Sequence, residues 1–161
     1  MNTLLGLVAL VLSLGSGVAS NPAGPAHWPL DPRPEIVARF DPPSSTYGAG
    51  HRGVDLLGQP GEPVVAPLAG TITFAGNLAG RGVVVIDHGT RRTTYEPVLA
   101  AVHVGDVVAA GQPIGALETA LSHCFPRSCL HWGLIVDGEY SDPLELLGGG
   151  RHIRLLPLAL G

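Results

Sequence analysis

The chain has 161 residues, hydrophobic residues at 45%, and a formal charge of −4 with its histidines neutral. Its thirteen acids outnumber its nine bases, which leaves no positive footprint for nucleic acid. All nine bases are arginine, so any activity that needs a lysine Schiff base or a lysyl-linked carrier group is excluded.

Residues 1–20 read as an export signal. Residues 4–14 are apolar, and Gly17, Val18, Ala19 and Ser20 are small residues that suit a cleavage site. A retained membrane anchor is the alternative, against which the run is short and interrupted by Gly6 and Gly15. Beyond it lie about 140 residues, enough for one domain with a hydrophobic core. Residues 21–35 form an extended lead-in rich in Pro, Gly and Ala, with Trp28 as the side chain that would dock it. The domain is expected over 36–148 and a tail over 149–161.

Within the domain, Asp41-Pro42-Pro43-Ser44-Ser45 is a loop, because proline removes backbone donors. Strands are expected at 54–57, 64–66, 70–75, 83–86, 90–95, 98–102, 107–108, 114–117 and 130–136, separated by glycine-bearing turns. Four branched apolar residues in a row, Val83 to Ile86, suit a strand covered on both faces. Asp142-Pro143 opens a short helical turn through Leu147, with Asp as cap and Pro in the first position. The regular spacing of turns predicts an all-β, compact, mostly antiparallel, sandwich-like domain. Segments 61–66 and 105–110 echo each other, either as a duplicated strand–turn unit or as repeated turn chemistry.

Cys124 and Cys129 are the only cysteines, and an even pair in an exported chain reads first as a disulfide. The competing reading is a Cys129 thiolate bound to metal. His51 and Asp55 are four residues apart, and Gly53 between them gives the backbone freedom to fold His51 back toward Asp55. His131 lies in the last long strand, where a period of two puts Cys129, His131 and Gly133 on one face and Leu130, Trp132 and Leu134 on the other. Two imidazoles and a carboxylate suit zinc, with a fourth position left for water or substrate. The bland alternatives are surface residues for His51 and Asp55 and a satisfied core histidine for His131. His88 is placed in a turn, His103 in solvent, and His27 and His152 near the ends. His123, beside Cys124, could reach the site.

These segments together resemble the lysostaphin/LytM-type zinc metallopeptidases over about residues 29–147. The resemblance is carried by Gly50-His51-Arg52-Gly53-Val54-Asp55-Leu56, the stretch 82–89, Thr94-Tyr95, Val104-Gly105-Asp106, the stretch 110–115, and Leu130-His131-Trp132-Gly133. It implies a duplicated-hybrid-motif type of β domain with a groove over Zn(2+), which His51, Asp55 and His131 would hold. The implied activity is endopeptidase cleavage of peptidoglycan stem peptides or cross-bridges by a secreted or cell-wall-associated protein, with no lipid bilayer contact after signal cleavage. It also implies a histidine two positions after Tyr95 and another two before His131, where this chain has Pro97 and Cys129. The expectation is therefore a divergent member lacking both usual catalytic histidines. A positioned acid or base contributes roughly 10²–10⁴-fold; Tyr95, His88 and His123 are the candidates to supply it, and Glu96 is expected to face away. The alternative function is a catalytically degenerate wall-binding or regulatory protein that keeps the metal site and acts on another cell-wall hydrolase.

Overall fold

The computed structural model describes residues 26–45 and 48–148. The segment expected as an export signal, the tail over 149–161 and His152 lie outside the described residues. Within them the glycine-punctuated apolar segments form strands and no α-helix. The strands are β1 (Ile36–Ala38), β2 (Val54–Gly58), β3 (Pro63–Val65), β4 (Gly70–Leu78), β5 (Arg81–Asp87), β6 (Arg91–Glu96), β7 (Val98–Ala100), β8 (Val107–Val108), β9 (Pro113–Leu117), β10 (Ser128–Val136) and β11 (Glu139–Ser141). A single 3-10 turn, Pro143–Leu147, follows.

All strand pairs are antiparallel. The larger sheet runs β1-β2-β10-β6-β5-β4-β8 with β11 paired to β10, and the smaller runs β3-β9-β7. Alternation along the strands sends one set of side chains between the sheets. Val54, Leu56, Val84, Ile86, Tyr95, Leu130 and Trp132 come from the larger sheet, and Val64, Val98, Ile114 and Leu117 from the smaller. Each such apolar side chain contributes about 1.5–3 kcal/mol by leaving water, and this shared layer holds the two sheets together.

The lead-in is docked more deeply than Trp28 alone implies. Leu30 is fully buried, Trp28 packs against the core with the Arg33 guanidinium 5.0 Å from its ring centroid, and Val65 N donates to Pro29 O at 2.9 Å. At the other end the Asp142 carboxylate accepts from Leu144 N at 3.0 Å, Pro143 follows, and Gly148 closes the turn at φ 74°.

Two short strands, β1 and β11, have no counterpart in the sequence pattern, because three-residue pieces at sheet margins have too little alternation to register. β4 runs on to Leu78, since the hairpin with β5 continues its ladder through Gly76, Asn77 and Leu78 to the Leu78–Arg81 pair. The two echoing segments lie in different sheets, β3 against β9 and β8 against β4. What they share is a left-handed glycine, Gly61 at φ 81° and Gly105 at φ 95°, before a short strand.

Candidate metal centre

β10 is buried along almost its whole length because β2 and β6 flank it. In the ladder His131 stands opposite Asp55 of β2 on one side and opposite Glu96 of β6 on the other. Residues directly opposite in an antiparallel pair share a face, so one row across the sheet presents Asp55, His131 and Glu96 together. That face is the one turned away from Val54, Leu56, Tyr95, Leu130 and Trp132.

His51 joins the row from the preceding loop, where its backbone bridges Asp41: His51 N donates to Asp41 O at 2.8 Å and Asp41 N to His51 O at 3.0 Å. Its Nδ1 lies 2.8 Å from the Arg39 carbonyl oxygen. A carbonyl only accepts, so Nδ1 carries the hydrogen and Nε2 of the neutral ring offers a bare lone pair. That Nε2 is 3.1 Å from Asp55 Oδ1 and 3.1 Å from His131 Nδ1, and the remaining separation, His131 Nδ1 to Asp55 Oδ1, is 2.9 Å. Only a proton on His131 Nδ1, or a cation in its place, keeps three lone pairs from meeting. Zinc bonds of about 2.0–2.1 Å to nitrogen in a tetrahedron put neighbouring ligand atoms about 3.3–3.4 Å apart. The observed triangle is within a few tenths of an ångström of one face of that tetrahedron, so the donor set fits the ion.

Gly53 makes room for this arrangement. A Cβ there would stand 2.8 Å from both Cε1 and Nε2 of the His131 ring.

A third imidazole completes the cluster. His123 Nδ1 is 3.1 Å from Asp55 Oδ1 and 3.2 Å from Oδ2, and His51, Asp55, His123 and His131 all bring ligand atoms within 4.8 Å of one another. Its loop is tied on both sides. The Ser122 hydroxyl accepts from Cys129 N at 2.8 Å and from Cys124 N at 3.3 Å, and Cys124 is disulfide-bonded to Cys129. Neither sulfur is therefore available as a thiolate ligand. On the far side of the His123 ring, Arg81 Nη1 is 3.1 Å from Nε2 and 3.3 Å from Glu96 Oε1. A guanidinium only donates, so Nε2 accepts, and Nδ1 carries the hydrogen that goes to Asp55.

Burial pushes the Asp55 carboxyl upward, but hydrogen bonds from His123 and His131, with their charge, outweigh it and hold the group well below the usual carboxylate range. Asp55 is thus an anion ready for a cation. The hydrogen bond to Asp55 raises the His123 pKa against the opposing effects of burial and of Arg81. A cation in the cluster would reverse that upward pull.

Two residues change places relative to the sequence expectation. Tyr95, expected at the site, is fully buried on the core face, where its hydroxyl bonds Thr93 Oγ1 at 2.6 Å and burial pushes its pKa upward. Glu96, expected to face away, is on the site face because it pairs directly with His131. The two corrections have one cause: adjacent strand residues point oppositely, so placing Tyr95 at the site forced Glu96 off it. His88 is also elsewhere, with Nδ1 donating to Ala69 O at 2.8 Å and Nε2 2.9 Å from Thr93 Oγ1. His103 is solvent-exposed, near Asp106 at 3.8 Å. Arg81 carried no signal in the sequence, since its role depends on where a loop brings His123.

The model of Peptidase family M23 matches residues 49–143. The chain belongs to that family. The protein Rv2891 of Mycobacterium tuberculosis is 48% identical over 149 residues, covering 85% of this chain and 59% of that protein. The chain thus spans well under two thirds of that relative's length. A lipoprotein NlpD/LppB homolog of Pseudomonas aeruginosa is 31% identical over 141 residues, covering 82% of this chain and 44% of its own. Among solved structures, the catalytic domain of the antimicrobial peptidase lysostaphin from Staphylococcus simulans superposes with a TM-score of 0.61 at 27% identity, covering 71% of this chain and 92% of that one. LytU gives a TM-score of 0.59 at 26% identity, covering 70% and 83%.

The expectation of a divergent M23 member lacking both usual catalytic histidines is overturned by the cluster itself. Pro97 and Cys129 do stand at the two positions where those histidines were expected, but His123 brings a further imidazole to the same carboxylate that His51 and His131 approach. The sequence already offered His123 as a residue that could reach the site; the aim of its ring was not readable, because it arrives on the turn that the disulfide closes.

Proposed function

We propose that the protein is a zinc-dependent endopeptidase acting on peptide bonds of bacterial peptidoglycan, exported to or beyond the cell wall. The observation that carries this reading is the triangle of His51 Nε2, Asp55 Oδ1 and His131 Nδ1, with sides of 2.9–3.1 Å. Membership of Peptidase family M23 and the likeness to the lysostaphin catalytic domain support the substrate class.

In this reading His51, Asp55 and His131 hold the ion, which supplies Lewis acidity toward the scissile carbonyl and acidifies a water. The Arg39 carbonyl keeps His51 in the tautomer that can ligate. His123 directs its Nδ1–H at Asp55 Oδ1, 3.1 Å away, and so orients the carboxylate that would hold the ion. Glu96, on the same face as His131, is the carboxylate that takes the water's proton and passes it to the departing amine.

Mass spectrometry of muropeptides released from purified peptidoglycan by the zinc-loaded protein tests this, with His131→Ala as control. New peptide ends absent from the control are the expected result. A folded, stoichiometrically zinc-loaded protein that releases none across walls of different cross-bridge chemistry would overturn the peptidase reading in favour of a wall-binding role.

A further inference from the structure

Four residues converge on the cluster, yet a catalytic zinc site keeps one position open, and a site closed by four protein ligands is structural. His123 is the residue on which this distinction turns. Its Nδ1 is the ring atom nearest the cluster, and nothing in its distance from Asp55, 3.1 Å, separates a ligand from a hydrogen-bond donor. The opposite ring nitrogen decides.

For Nδ1 to bind a metal it must give up its hydrogen, and the neutral ring then carries that hydrogen on Nε2. Nε2 is 3.1 Å from Arg81 Nη1. Ligation through Nδ1 would therefore set an N–H against the N–H of a guanidinium that does not deprotonate. Arg81 cannot readily turn away, because the same Nη1 is paired with Glu96 Oε1 at 3.3 Å and Glu96 is fixed in β6 opposite His131. The two ends of the His123 ring are thus matched to one tautomer: Nε2 accepts from Arg81, and Nδ1–H donates to Asp55.

We propose that Arg81 sets the coordination number of the metal centre, holding His123 as a hydrogen-bond donor to Asp55 and so keeping the fourth ligand position free for substrate. This rests on the metal-centre reading above. Arg81 is a positioning residue, acting through His123. Without its donor, His123 can take the other tautomer, with its hydrogen on Nε2, and close the site as a fourth ligand. The consequence is unusual for the loss of an outer residue: the metal is bound more tightly and the chemistry stops.

The test compares the wild-type chain with Arg81→Met and Arg81→Lys. X-ray absorption of the zinc-loaded proteins counts imidazole ligands, and nitrogen-15 NMR of the His123 ring reports the tautomer with and without metal. The expected result is two imidazoles on zinc in wild type and three in Arg81→Met. Zinc affinity in that variant should rise by a factor within the roughly 10–100-fold range that outer-shell partners command. Arg81→Lys, which keeps a cationic donor, should restore two imidazoles. The His123 ring of the metal-free wild type should carry its hydrogen on Nδ1. Three imidazoles in the wild type, or two in both wild type and Arg81→Met, would overturn the role of Arg81 while leaving the metal centre in place. Hydrogen on Nε2 in the metal-free wild type would overturn it without reference to metal. Failure of the wild type to bind zinc at all would remove the metal-centre reading, and this inference with it.

Discussion

Glu96 and His131 are directly opposite in the ladder between β6 and β10, and both side chains leave the same face of the larger sheet. On its other flank His131 faces Asp55. The strand order therefore puts a carboxylate on each side of a single imidazole, one pulled into the cluster and one left beside it, tied to Arg81.

Replacing Glu96 by Gln keeps the shape and removes the proton acceptor. Peptide release should fall by roughly 10²–10⁴-fold, the contribution of a positioned acid or base, while zinc stoichiometry is unchanged. Steady-state kinetics on a defined peptide, with metal analysis of the same samples, checks this. Undiminished turnover would remove Glu96 from the mechanism.

Gly53 is predicted to tolerate no side chain. A methyl group there meets the His131 ring at 2.8 Å and also the Trp132 carbonyl oxygen, and both belong to the buried central strand. Gly53→Ala should cost about 1–3 kcal/mol, as overpacking does. It should also weaken zinc binding by roughly 10–100-fold through the displaced ring. Denaturant melts and competition with a chromophoric chelator measure the two effects separately; a variant that binds zinc as wild type does would show that the ring has room to move.

The triangle of His51, Asp55 and His131 was legible in part because Asp55 and His131 sit in recognisable strands and His51 lies four residues before Asp55, in the loop that leads into β2. The rest of the site depended on phase and on loop geometry. Alternation says that Tyr95 and Glu96 face opposite ways, but not which of them faces the core. That is decided by the register with β10, which puts Tyr95 opposite Trp132. His123 is further from the reach of pattern. It follows Leu121 in the left-handed region at φ 58°, and precedes a disulfide-closed turn. Neither feature repeats with a period, so no periodicity could have aimed its ring. The β architecture itself was readable because glycines and branched residues mark turns and strands locally.

The disulfide between Cys124 and Cys129 holds the turn that carries His123. Closing so small a ring restricts the unfolded chain by about 2 kcal/mol in the chain-entropy account. The double variant Cys124→Ala/Cys129→Ala should lose about that much stability. It should still bind zinc, since His51, Asp55 and His131 are held by strands and by the Arg39 carbonyl. Peptide cleavage should drop, because the turn that carries His123 loses its covalent closure and is left to hydrogen bonds such as those of Ser122. Urea midpoints and zinc titration of the double variant check the separation; loss of zinc binding together with stability would mean that the turn supports the triangle too.

His88 gives a pH dependence that needs no metal. Burial holds its pKa below the ordinary imidazole value of about 6.5, outweighing the Ala69 carbonyl and the Asp87 charge, which pull it upward. The hydrogen bonds agree with a neutral ring: Nδ1 donates to Ala69 O, and Nε2 accepts from Thr93, whose oxygen in turn accepts from Tyr95. Below about pH 6.5 the unfolded chain binds a proton at this residue that the folded chain resists, so stability rises with pH in that window. The contribution is complete above the unfolded pKa and is lost as pH falls from there through the folded one. His88 should therefore contribute a loss of stability between about pH 7 and pH 5, with a slope of at most about 1.4 kcal/mol per pH unit. His88→Gln should flatten that part of the profile. Urea denaturation of both metal-free proteins across this range is the measurement, and parallel curves would show that protonation of His88 is not resisted by the fold.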